Sequence, residues 1–333
     1  MIEKAAIVGI GAMGTVMAQI LAEHGANVAM LARPEEPVSE VFVQRENRRY
    51  LPGTTLSERI TPTNSAEAAL RGADLVVSAV PCQYLRSAWV HCASHTPPGV
   101  AIASVTKGIE IGTTLRPSQV IAACAPGHPI AVLSGPNIAA ELVRCLPATA
   151  VVACQDDAVA GRVQQALSTQ WLRLYTSGDV IGVELSGAVK NVIALAAGIL
   201  DGLKAGDNAK AALLTRGLVE ITRLGVALGA RPETFSGLAG IGDLITTSVS
   251  PHGRNRCAGE RIGRGARADQ LVQESRGVIE GIPTTRAVLE LARRHGIEMP
   301  ITQAVYDVVF ENKSPTLAIS ELMSRPLKSE ARS

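Results

Sequence analysis

The chain has 333 residues and a formal net charge of +2 at pH 7, with 47% hydrophobic and only 3% aromatic residues. This length predicts two domains, and the small charge, without aromatic residues among the basic ones, excludes nucleic acid and membrane surfaces as expected partners. The six cysteines and six histidines are scattered, so we expect free thiols in a cytoplasmic protein, with no metal site. Because strand patterning begins with the first residues, no signal peptide is expected either.

The chain opens on a short apolar strand that runs into a glycine-rich turn. Lys4–Gly9 is typical of a buried parallel strand, Gly9-Ile-Gly-Ala-Met-Gly14 follows at once, and Thr15–Glu23 has helical spacing. In this setting G-x-G-x-x-G predicts a dinucleotide site. Its first glycine permits the tight turn, Gly11 lets the backbone approach a pyrophosphate, and Gly14 lets helix and strand pack closely. The N-terminus of the helix then presents N–H groups to phosphate.

The second predicted strand, Asn27–Leu31, bears on the choice between NAD and NADP. An NAD-specific site usually has Asp or Glu at the end of this strand to bind the ribose hydroxyls, whereas this chain continues with Ala32-Arg33-Pro34. Arg33 can pair with a 2′-phosphate and stack on adenine, which is compatible with NADP, with NAD also accepted. A solvated surface arginine remains the alternative, because Glu35 and Glu36 lie close by in the sequence.

Further strands alternate with helices up to about Ser177. Apolar runs predict strands at 74–81, 99–104, 129–134, 148–153 and 172–176. This alternation predicts an α/β domain with a mostly parallel sheet over residues 1–177. Ligands of such sheets bind at the carboxyl ends of the strands, and Lys107 and Asn137 each follow such an end. Two polar residues at equivalent positions favour a substrate site there, the alternative for each being an ordinary loop residue.

Helical patterns replace the strands in the second half and predict an all-helical domain over residues 178–333. Helices are predicted at 180–202, 209–228, 283–295, 300–311 and 315–323. Two loops, Gly237–Thr247 and Gly253–Arg256, are predicted between them. The charged segment Arg325–Ser333 is expected to be a frayed end.

The first of these helices is apolar on all sides and contains Lys190. Burying an ammonium is costly unless it is paired, and burial lowers its pKa, so such a lysine can exchange a proton with a reacting oxygen. Its neighbours one turn away are mostly small, which leaves room for a close approach; they are Ser186, Gly187, Ile193 and Ala194. The alternative is a structural lysine that extends to the surface or pairs with Glu184 or another carboxylate. Charged residues interrupt this helix, so a membrane span is not expected.

The predicted loops carry the groups that complement Lys190. Asp243 can pair with it and set its protonation and orientation, and Arg254 and Asn255 can bind a phosphate through a guanidinium and an amide. Together these residues indicate reduction of a phosphorylated ketone, with the hydride taken from a nicotinamide cofactor.

Several motifs, taken together, are specific to one family. They are Gly9-Ile-Gly-Ala-Met-Gly14, Tyr50-Leu-Pro-Gly53, Thr106-Lys-Gly108, Ser134-Gly-Pro-Asn-Ile-Ala139, Glu184-Leu-Ser-Gly-Ala-Val-Lys-Asn191, Leu214-Thr-Arg-Gly217, Gly240-Ile-Gly-Asp-Leu244 and Gly253-Arg-Asn-Arg256. In their content and order the chain resembles the NAD(P)-dependent glycerol-3-phosphate dehydrogenases. The resemblance implies a Rossmann-type domain followed by a helical one, and reversible NADP- or NAD-dependent reduction of dihydroxyacetone phosphate to sn-glycerol 3-phosphate. It also implies a role in glycerophospholipid synthesis, a homodimer and a cytoplasmic location.

The resemblance assigns roles to individual residues. It makes Lys190 the proton donor and acceptor at the C2 oxygen, assisted by Lys107 and Asp243. The implied substrate contacts are Lys107, Gly135, Asn137, Lys190, Asn191, Asp243, Thr247, Gly253, Arg254 and Asn255. The glycine turn and Arg33 are already predicted to contact the cofactor from the sequence pattern. With the residues that the resemblance adds, the predicted cofactor contacts are Gly9, Gly11, Ala12, Met13, Gly14, Arg33, Lys107, Ala139, Arg254, Val278 and Glu280. The chain departs from the common bacterial pattern at Ala12, Met13, Asn137 and Gly253, which bears on fine preference for cofactor and substrate.

Two other functions remain open at this point. A two-domain dehydrogenase acting on a hydroxy acid or an acyl-CoA would share the nucleotide fold and the helical second domain. A nucleotide-sensing protein without chemistry would need the glycine turn but not Lys190, Lys107 and Asp243 together. An assay of keto acids against dihydroxyacetone phosphate separates these possibilities.

Overall fold

The computed structural model describes residues 2–275, 277–327 and 329–330. The chain divides into two compact units, one of Met1–Lys107 with Arg116–Val180 and one of Gly108–Leu115 with Ile181–Ser333. Positions 328 and 331–333, which belong to the predicted frayed end, lie outside the described residues.

The first unit is built from strands and helices that alternate along the chain. Its strands are β1 Lys4–Val8, β2 Asn27–Leu31, β3 Phe42–Val43, β4 Glu46–Asn47, β5 Ile60–Thr63, β6 Leu75–Ser78, β7 Ala101–Ser104, β8 Ile130–Ser134, β9 Ala148–Ala153 and β10 Leu172–Ser177. Its helices are α1 Ala12–Glu23, α2 Val38–Val41, α3 Ala66–Leu70, α4 Leu85–Cys92, α5 Pro117–Cys124, α6 Ala139–Leu142 and α7 Asp157–Leu167.

Eight of these strands form one sheet in the order β10-β9-β8-β7-β6-β1-β2-β5. All neighbouring strands are parallel except β8 and β9, which are antiparallel. Strands β6 and β7 are buried along their whole length, as their continuous apolar sequences require. The prediction of an α/β unit with a mostly parallel sheet is therefore confirmed. Strands β1, β2, β7 and β8 end at the same edge of this sheet, where ligands bind in such folds.

The sequence did not predict β5 or the small β3–β4 hairpin. Strand β5 contains Pro62 and lies at the sheet edge, beside β2. Proline is tolerated at an edge because the N–H that it lacks is not needed to pair with a further strand. The hairpin has two-residue strands, too short to show a period of two, and its turn residues Gln44 and Arg45 have φ of 52° and 58°. Turns of this kind are usually recognised by Asn or Gly, and neither residue is present here.

The second unit is helical. Its helices are α8 Val180–Leu203, α9 Asp207–Ala227, α10 Pro232–Phe235, α11 Asp243–Val249, α12 Arg254–Gly263, α13 Ala268–Glu274, α14 Gly281–Arg294, α15 Pro300–Phe310 and α16 Pro315–Met323. Among the described residues, α8 is the one helix that is long and apolar enough to cross a membrane. Of its apolar 18-residue stretch, 89% is buried inside the structure, as in the core helix of a folded protein.

The prediction of loops at Gly237–Thr247 and Gly253–Arg256 was wrong. A short turn over Leu238–Gly242, with a non-helical backbone at Gly240, leads directly into α11, and α12 begins at Arg254. The glycines that suggested loops serve close packing instead: a Cβ at Gly240 would lie 2.0 Å from the carbonyl oxygen of Phe235. The sequences of α11 and α12 gave no clear helical signal, because these short helices are stabilised by packing against their neighbours rather than by a regular apolar face.

Helices α8 and α12 touch backbone to backbone. A Cβ on Gly259 would lie 2.0 Å from the carbonyl oxygen of Leu195, and one on Gly198 would lie 1.9 Å from that of Arg256. No side chain larger than hydrogen fits at these two positions. The start of α12 therefore has a fixed place relative to the lysine on α8.

A buried carboxylate on α9 binds the first turn of α15. Glu220 accepts hydrogen bonds from the backbone N–H groups of Ile301 at 2.6 Å and Thr302 at 3.2 Å, and from the Thr302 hydroxyl at 3.2 Å. It thus satisfies N–H groups that have no partner within α15. Burial outweighs these bonds and raises the pKa of Glu220 from its ordinary 4.5 to about 7.

This raised pKa predicts that stability falls as pH rises from about 4.5 to about 7. In that interval the folded protein holds a proton on Glu220 that the unfolded chain has released, so folding is favoured at the lower pH. The full effect is about 3 kcal/mol, at roughly 1.4 kcal/mol per pKa unit. Urea unfolding of wild type and Glu220→Gln at about pH 5 and about pH 8 measures it, because the variant lacks the titrating group. Replacing the exposed Glu233 by Gln is the control. The prediction would be contradicted if Glu220→Gln changed the free energy of unfolding by the same amount at both pH values.

Candidate active site

The glycine turn after β1 has the geometry that a pyrophosphate requires. Gly9 has φ of +106°, and a Cβ at Gly14 would lie 2.2 Å from the Gly9 carbonyl oxygen. A Cβ at Gly11, in contrast, would meet no described atom within 4 Å. Gly11 is also the N-cap of α1, whose first turn carries no acidic residue. Backbone N–H groups and the positive end of the helix dipole thus face open space, which fits the phosphates of a dinucleotide.

Three predicted cofactor residues occupy the first turns of two helices. Ala12 and Met13 begin α1, and Ala139 begins α6. All three are partly buried against the core of the first unit, and α1 packs on α6.

Gly11 and Gly14 have different surroundings, so replacing each of them by alanine should have different effects on stability and on cofactor binding. Gly11→Ala is expected to keep the unfolding free energy within about 0.5 kcal/mol of wild type, since its Cβ enters open space. It should nevertheless weaken NADPH binding about 10-fold or more, because the methyl group occupies the place of the pyrophosphate. Gly14→Ala should instead cost about 1–3 kcal/mol through overpacking. Urea unfolding and calorimetric NADPH titration of both variants test this, and a destabilised Gly11→Ala protein with wild-type affinity would contradict it.

Arg33 lies two residues beyond the end of β2. Its guanidinium pairs with Glu36 at 3.4 Å, and its side chain is 58% exposed. The Gly9 N–H donates to the carbonyl oxygen of Leu31 at 3.0 Å, which ties the end of β2 to the glycine turn. Arg33 is thereby placed beside the predicted dinucleotide site.

Lys107, Gly135 and Asn137 come together at the carboxyl edge of the sheet. The Lys107 ammonium donates to the Gly135 carbonyl oxygen at 3.1 Å and to Asn137 Oδ1 at 2.8 Å. Gly135 has φ of +140°, and a Cβ there would lie 2.9 Å from the Cα of Ala150, so this turn requires glycine. The loops after β7 and β8 thus hold one cation in a defined position.

In the second unit, Lys190 forms a buried ion pair with Asp243. Its Nζ lies 2.9 Å from Asp243 Oδ1, with side-chain exposures of 6% and 3%. The ammonium also donates to the Thr247 hydroxyl, which donates to Asp243 Oδ1 at 3.3 Å. Asp243 and Thr247 are four residues apart on α11 and therefore share a face. Lys190 therefore does not extend into solvent, and its ammonium is held beside the carboxylate of Asp243.

A second polar cluster connects α8, α12 and α14. The Asn255 amide donates to Asn191 Oδ1 at 2.9 Å and accepts from the Gly281 N–H at 2.8 Å. Asn191 in turn donates to the Gly187 carbonyl oxygen at 3.2 Å. The predicted phosphate ligand Asn255 is buried, and these bonds leave one of its amide hydrogens for a ligand.

The remaining predicted residues surround the start of α12. Arg254 is exposed and donates to the Val278 carbonyl oxygen at 2.9 Å, and Glu280 immediately precedes α14. A Cβ at Gly253 would lie 2.7 Å from the Thr247 carbonyl oxygen, so the residue before α12 packs closely against α11.

Sequence reasoning missed Asn47. This fully buried residue donates at 2.8 Å to the Ile10 carbonyl oxygen and at 2.8 Å to the Thr15 hydroxyl. It fixes the β3–β4 hairpin against the glycine turn. An asparagine within a polar segment carries no signal of such a contact, because its partners lie more than thirty residues away.

A parallel sheet with a glycine turn at its carboxyl edge, followed by a helical unit with a buried lysine–aspartate pair, defines a two-domain dehydrogenase that uses a nicotinamide dinucleotide. Family models described as the N-terminus and the C-terminus of NAD-dependent glycerol-3-phosphate dehydrogenase match residues 4–160 and 179–320. The chain belongs to the glycerol-3-phosphate dehydrogenase family.

Relatives and solved structures agree with this assignment. Glycerol-3-phosphate dehydrogenase [NAD(P)+] of Streptomyces griseus is 48% identical over 331 residues, which covers 99% of this chain and 98% of the relative. The corresponding protein of Thermobifida fusca is 48% identical over 330 residues, covering 98% of each chain. The crystal structure of glycerol-3-phosphate dehydrogenase from Coxiella burnetii matches with a TM-score of 0.93 and 36% identity, over 97% of this chain and 99% of that one.

Proposed function

We propose that the protein catalyses the reversible NAD(P)H-dependent reduction of dihydroxyacetone phosphate to sn-glycerol 3-phosphate, which feeds glycerophospholipid synthesis. Relatives with this enzyme name match along nearly their whole length. The observation that carries the proposal is the buried Lys190–Asp243 pair. A nucleotide-binding protein without chemistry needs no such pair, whereas reduction of a ketone needs a proton donor beside the developing alkoxide.

The chemistry divides between the cofactor and the chain. A bound nicotinamide cofactor supplies the hydride for C2. Lys190 as ammonium polarises the carbonyl and donates the proton to its oxygen, and in the reverse direction the neutral amine accepts that proton. Asp243 holds the ammonium by charge, and the Thr247 hydroxyl fixes the direction of Nζ.

The other cations and amides are assigned by their chemistry. Arg254 offers a planar guanidinium and Asn255 an amide hydrogen, both suited to phosphate oxygens. Lys107, held by Gly135 and Asn137, supplies a second positive charge where the alkoxide develops. Charge stabilisation of this kind contributes a few kcal/mol, on the order of one oxyanion donor.

The test is oxidation of NADPH and of NADH, side by side, with dihydroxyacetone phosphate and with a panel of 2-keto acids. We expect turnover with dihydroxyacetone phosphate but with none of the 2-keto acids. The product should be sn-glycerol 3-phosphate. Turnover of a keto acid instead would identify a hydroxy-acid dehydrogenase. Tight NADPH binding without oxidation of any substrate would identify a nucleotide-binding protein.

The proposal includes a cytoplasmic homodimer without nucleic-acid or membrane partners. Apolar helices of the second unit form its expected interface, although the same helices also complete the core of that unit. Light scattering coupled to size-exclusion chromatography measures the mass, and a monomer at micromolar concentration would contradict this part.

A further inference from the structure

Arg256, in the first turn of α12, joins three parts of the second unit. Its Nε donates to the Ser250 carbonyl oxygen at 3.0 Å, and its Nη1 lies 2.7 Å from Asp201 Oδ2 near the end of α8. Its Nη2 pairs with Glu260, one turn further along α12, at 3.2 Å. The arginine side chain is only 14% exposed. One largely buried guanidinium therefore binds α8, the connection before α12 and α12 itself.

The acceptor Ser250 lies in the short connection between α11 and α12. Its N–H donates to the Thr246 carbonyl oxygen at 3.1 Å, at the end of α11. Its own carbonyl oxygen accepts the Gly253 N–H at 3.1 Å, immediately before α12, in addition to the bond from Arg256. That bond therefore fixes the end of α11, the helix of Asp243, relative to the first turn of α12.

The side chains of Arg256 and Arg254 lie on different sides of α12. Residues two apart on a helix do not share a face, and Arg254 donates to a different partner, the Val278 carbonyl oxygen. In Arg256, Nε, Nη1 and Nη2 each have an acceptor within the protein. This residue therefore acts on a ligand of Arg254 through the backbone of α12 rather than by touching it.

We propose that Arg256 is a positioning residue for the substrate phosphate, because it holds the first turn of α12 where Arg254 and Asn255 reach that group. This inference rests on the proposed function for the roles of those two residues. Asp201 follows Lys190 on α8, so the guanidinium also ties the turn to the helix of the proton donor. The bonds of the substrate fix the distance from its phosphate to its carbonyl, and the protein groups that bind the two ends have to match that distance.

The test compares dihydroxyacetone phosphate with dihydroxyacetone, which lacks the phosphate. Arg256→Gln should lower kcat/KM for dihydroxyacetone phosphate by about 10–100-fold, the scale of a slightly misplaced binding group. The loss should appear mainly in KM, because the Lys190–Asp243 pair is left in place. With dihydroxyacetone the variant should stay within about 2-fold of wild type, since a residue that serves the phosphate contributes nothing to a substrate without it. Arg256→Lys keeps a charge beside Asp201 but not the planar fork, so it should recover only part of the loss.

Binding gives a second readout that does not depend on turnover. Calorimetric titration of the NADPH-loaded chain with sn-glycerol 3-phosphate forms a complex without hydride transfer, because both molecules are already reduced. Arg256→Gln should weaken this binding by about 10-fold or more.

Arg264 provides a matched control. It lies at the far end of α12, is 65% exposed and pairs with the same Glu260 as Arg256. Arg264→Gln should leave the kinetics with both substrates and the affinity for sn-glycerol 3-phosphate at wild-type values. Thermal unfolding checks that all variants fold.

Three results would overturn the inference. The first is an equal loss of kcat/KM for the two substrates in Arg256→Gln, which would indicate general damage to the structure. The second is wild-type affinity of that variant for sn-glycerol 3-phosphate, and the third is a wild-type chain that does not bind this compound. A wild-type chain that binds it, and loses the binding in Arg256→Gln, but does not reduce dihydroxyacetone phosphate would refute the proposed function and leave this inference standing.

Discussion

Replacing Lys190 by methionine is expected to lower turnover of dihydroxyacetone phosphate by about 10²–10⁴-fold, the usual contribution of a general acid. Methionine keeps most of the volume of the lysine chain but cannot donate a proton or polarise a carbonyl. NADPH affinity should change little, because the glycine turn and its open space belong to the first unit. Steady-state NADPH oxidation and calorimetric NADPH titration of the same preparation separate the two effects.

Lys210 is the matched control for this experiment. It is another helical lysine in an ion pair, with its ammonium 2.8 Å and 2.9 Å from the two Asp201 oxygens and its side chain 18% exposed. Lys210→Met should retain turnover within about 2-fold of wild type, because Asp201 keeps its second cation, Arg256, at 2.7 Å. Wild-type turnover in Lys190→Met would remove that residue from the mechanism.

The same substitution should cost about 3–5 kcal/mol of unfolding free energy, because it leaves Asp243 as a buried charge without its cation. Combining Lys190→Met with Asp243→Leu should recover most of this loss, since both buried charges are then gone. The double variant is therefore expected to be inactive yet more stable than Lys190→Met alone.

Urea unfolding of wild type, both single variants and the double variant forms the complete cycle. Arg261→Met with its partner change Glu274→Leu gives the comparison for an exposed pair, whose coupling should be about 1 kcal/mol or less. Additive losses in the Lys190–Asp243 cycle would mean that the two side chains do not stabilise one another.

The parts of the fold that follow from periodicity could be predicted. Strands β2 and β9 and helix α16 begin and end where the sequence places them, because continuous apolar runs and helix-initiating prolines are local signals. Helices α11 and α12 could not be predicted, because the glycines around them look like loop signals. Gly240, just before α11, is required by the nearby carbonyl oxygen of Phe235, and Gly259 of α12 by the distant Leu195 on α8. Strand β5 was missed because its proline is tolerated only at a sheet edge, and edge position is a property of the assembled sheet.

The candidate site, too, has some features that the sequence could predict and others that it could not. The glycine turn is a local pattern, and the meeting of Lys107 with Asn137 follows from the shared edge of parallel strands. The pairing of Lys190 with Asp243 was inferred from chemistry alone, as a buried cation needs an anion. Asn47 gave no such signal, because its significance comes from the return of the β3–β4 hairpin to the glycine turn. Contacts of all these residues with substrate and cofactor remain predictions.

The backbone contact between α8 and α12 has a consequence for how this enzyme can evolve. With glycine at the crossing, no side chain acts as an adjustable spacer between Lys190 on α8 and the start of α12, which carries Arg254 and Asn255. Under the proposed function, a ketose phosphate with one more carbon would need those helices to move apart, and enlarging a residue at the crossing would force backbone shifts that cost about 1–3 kcal/mol each. Under the same proposal, single substitutions at the crossing cannot change the distance between Lys190 and the start of α12 without such shifts.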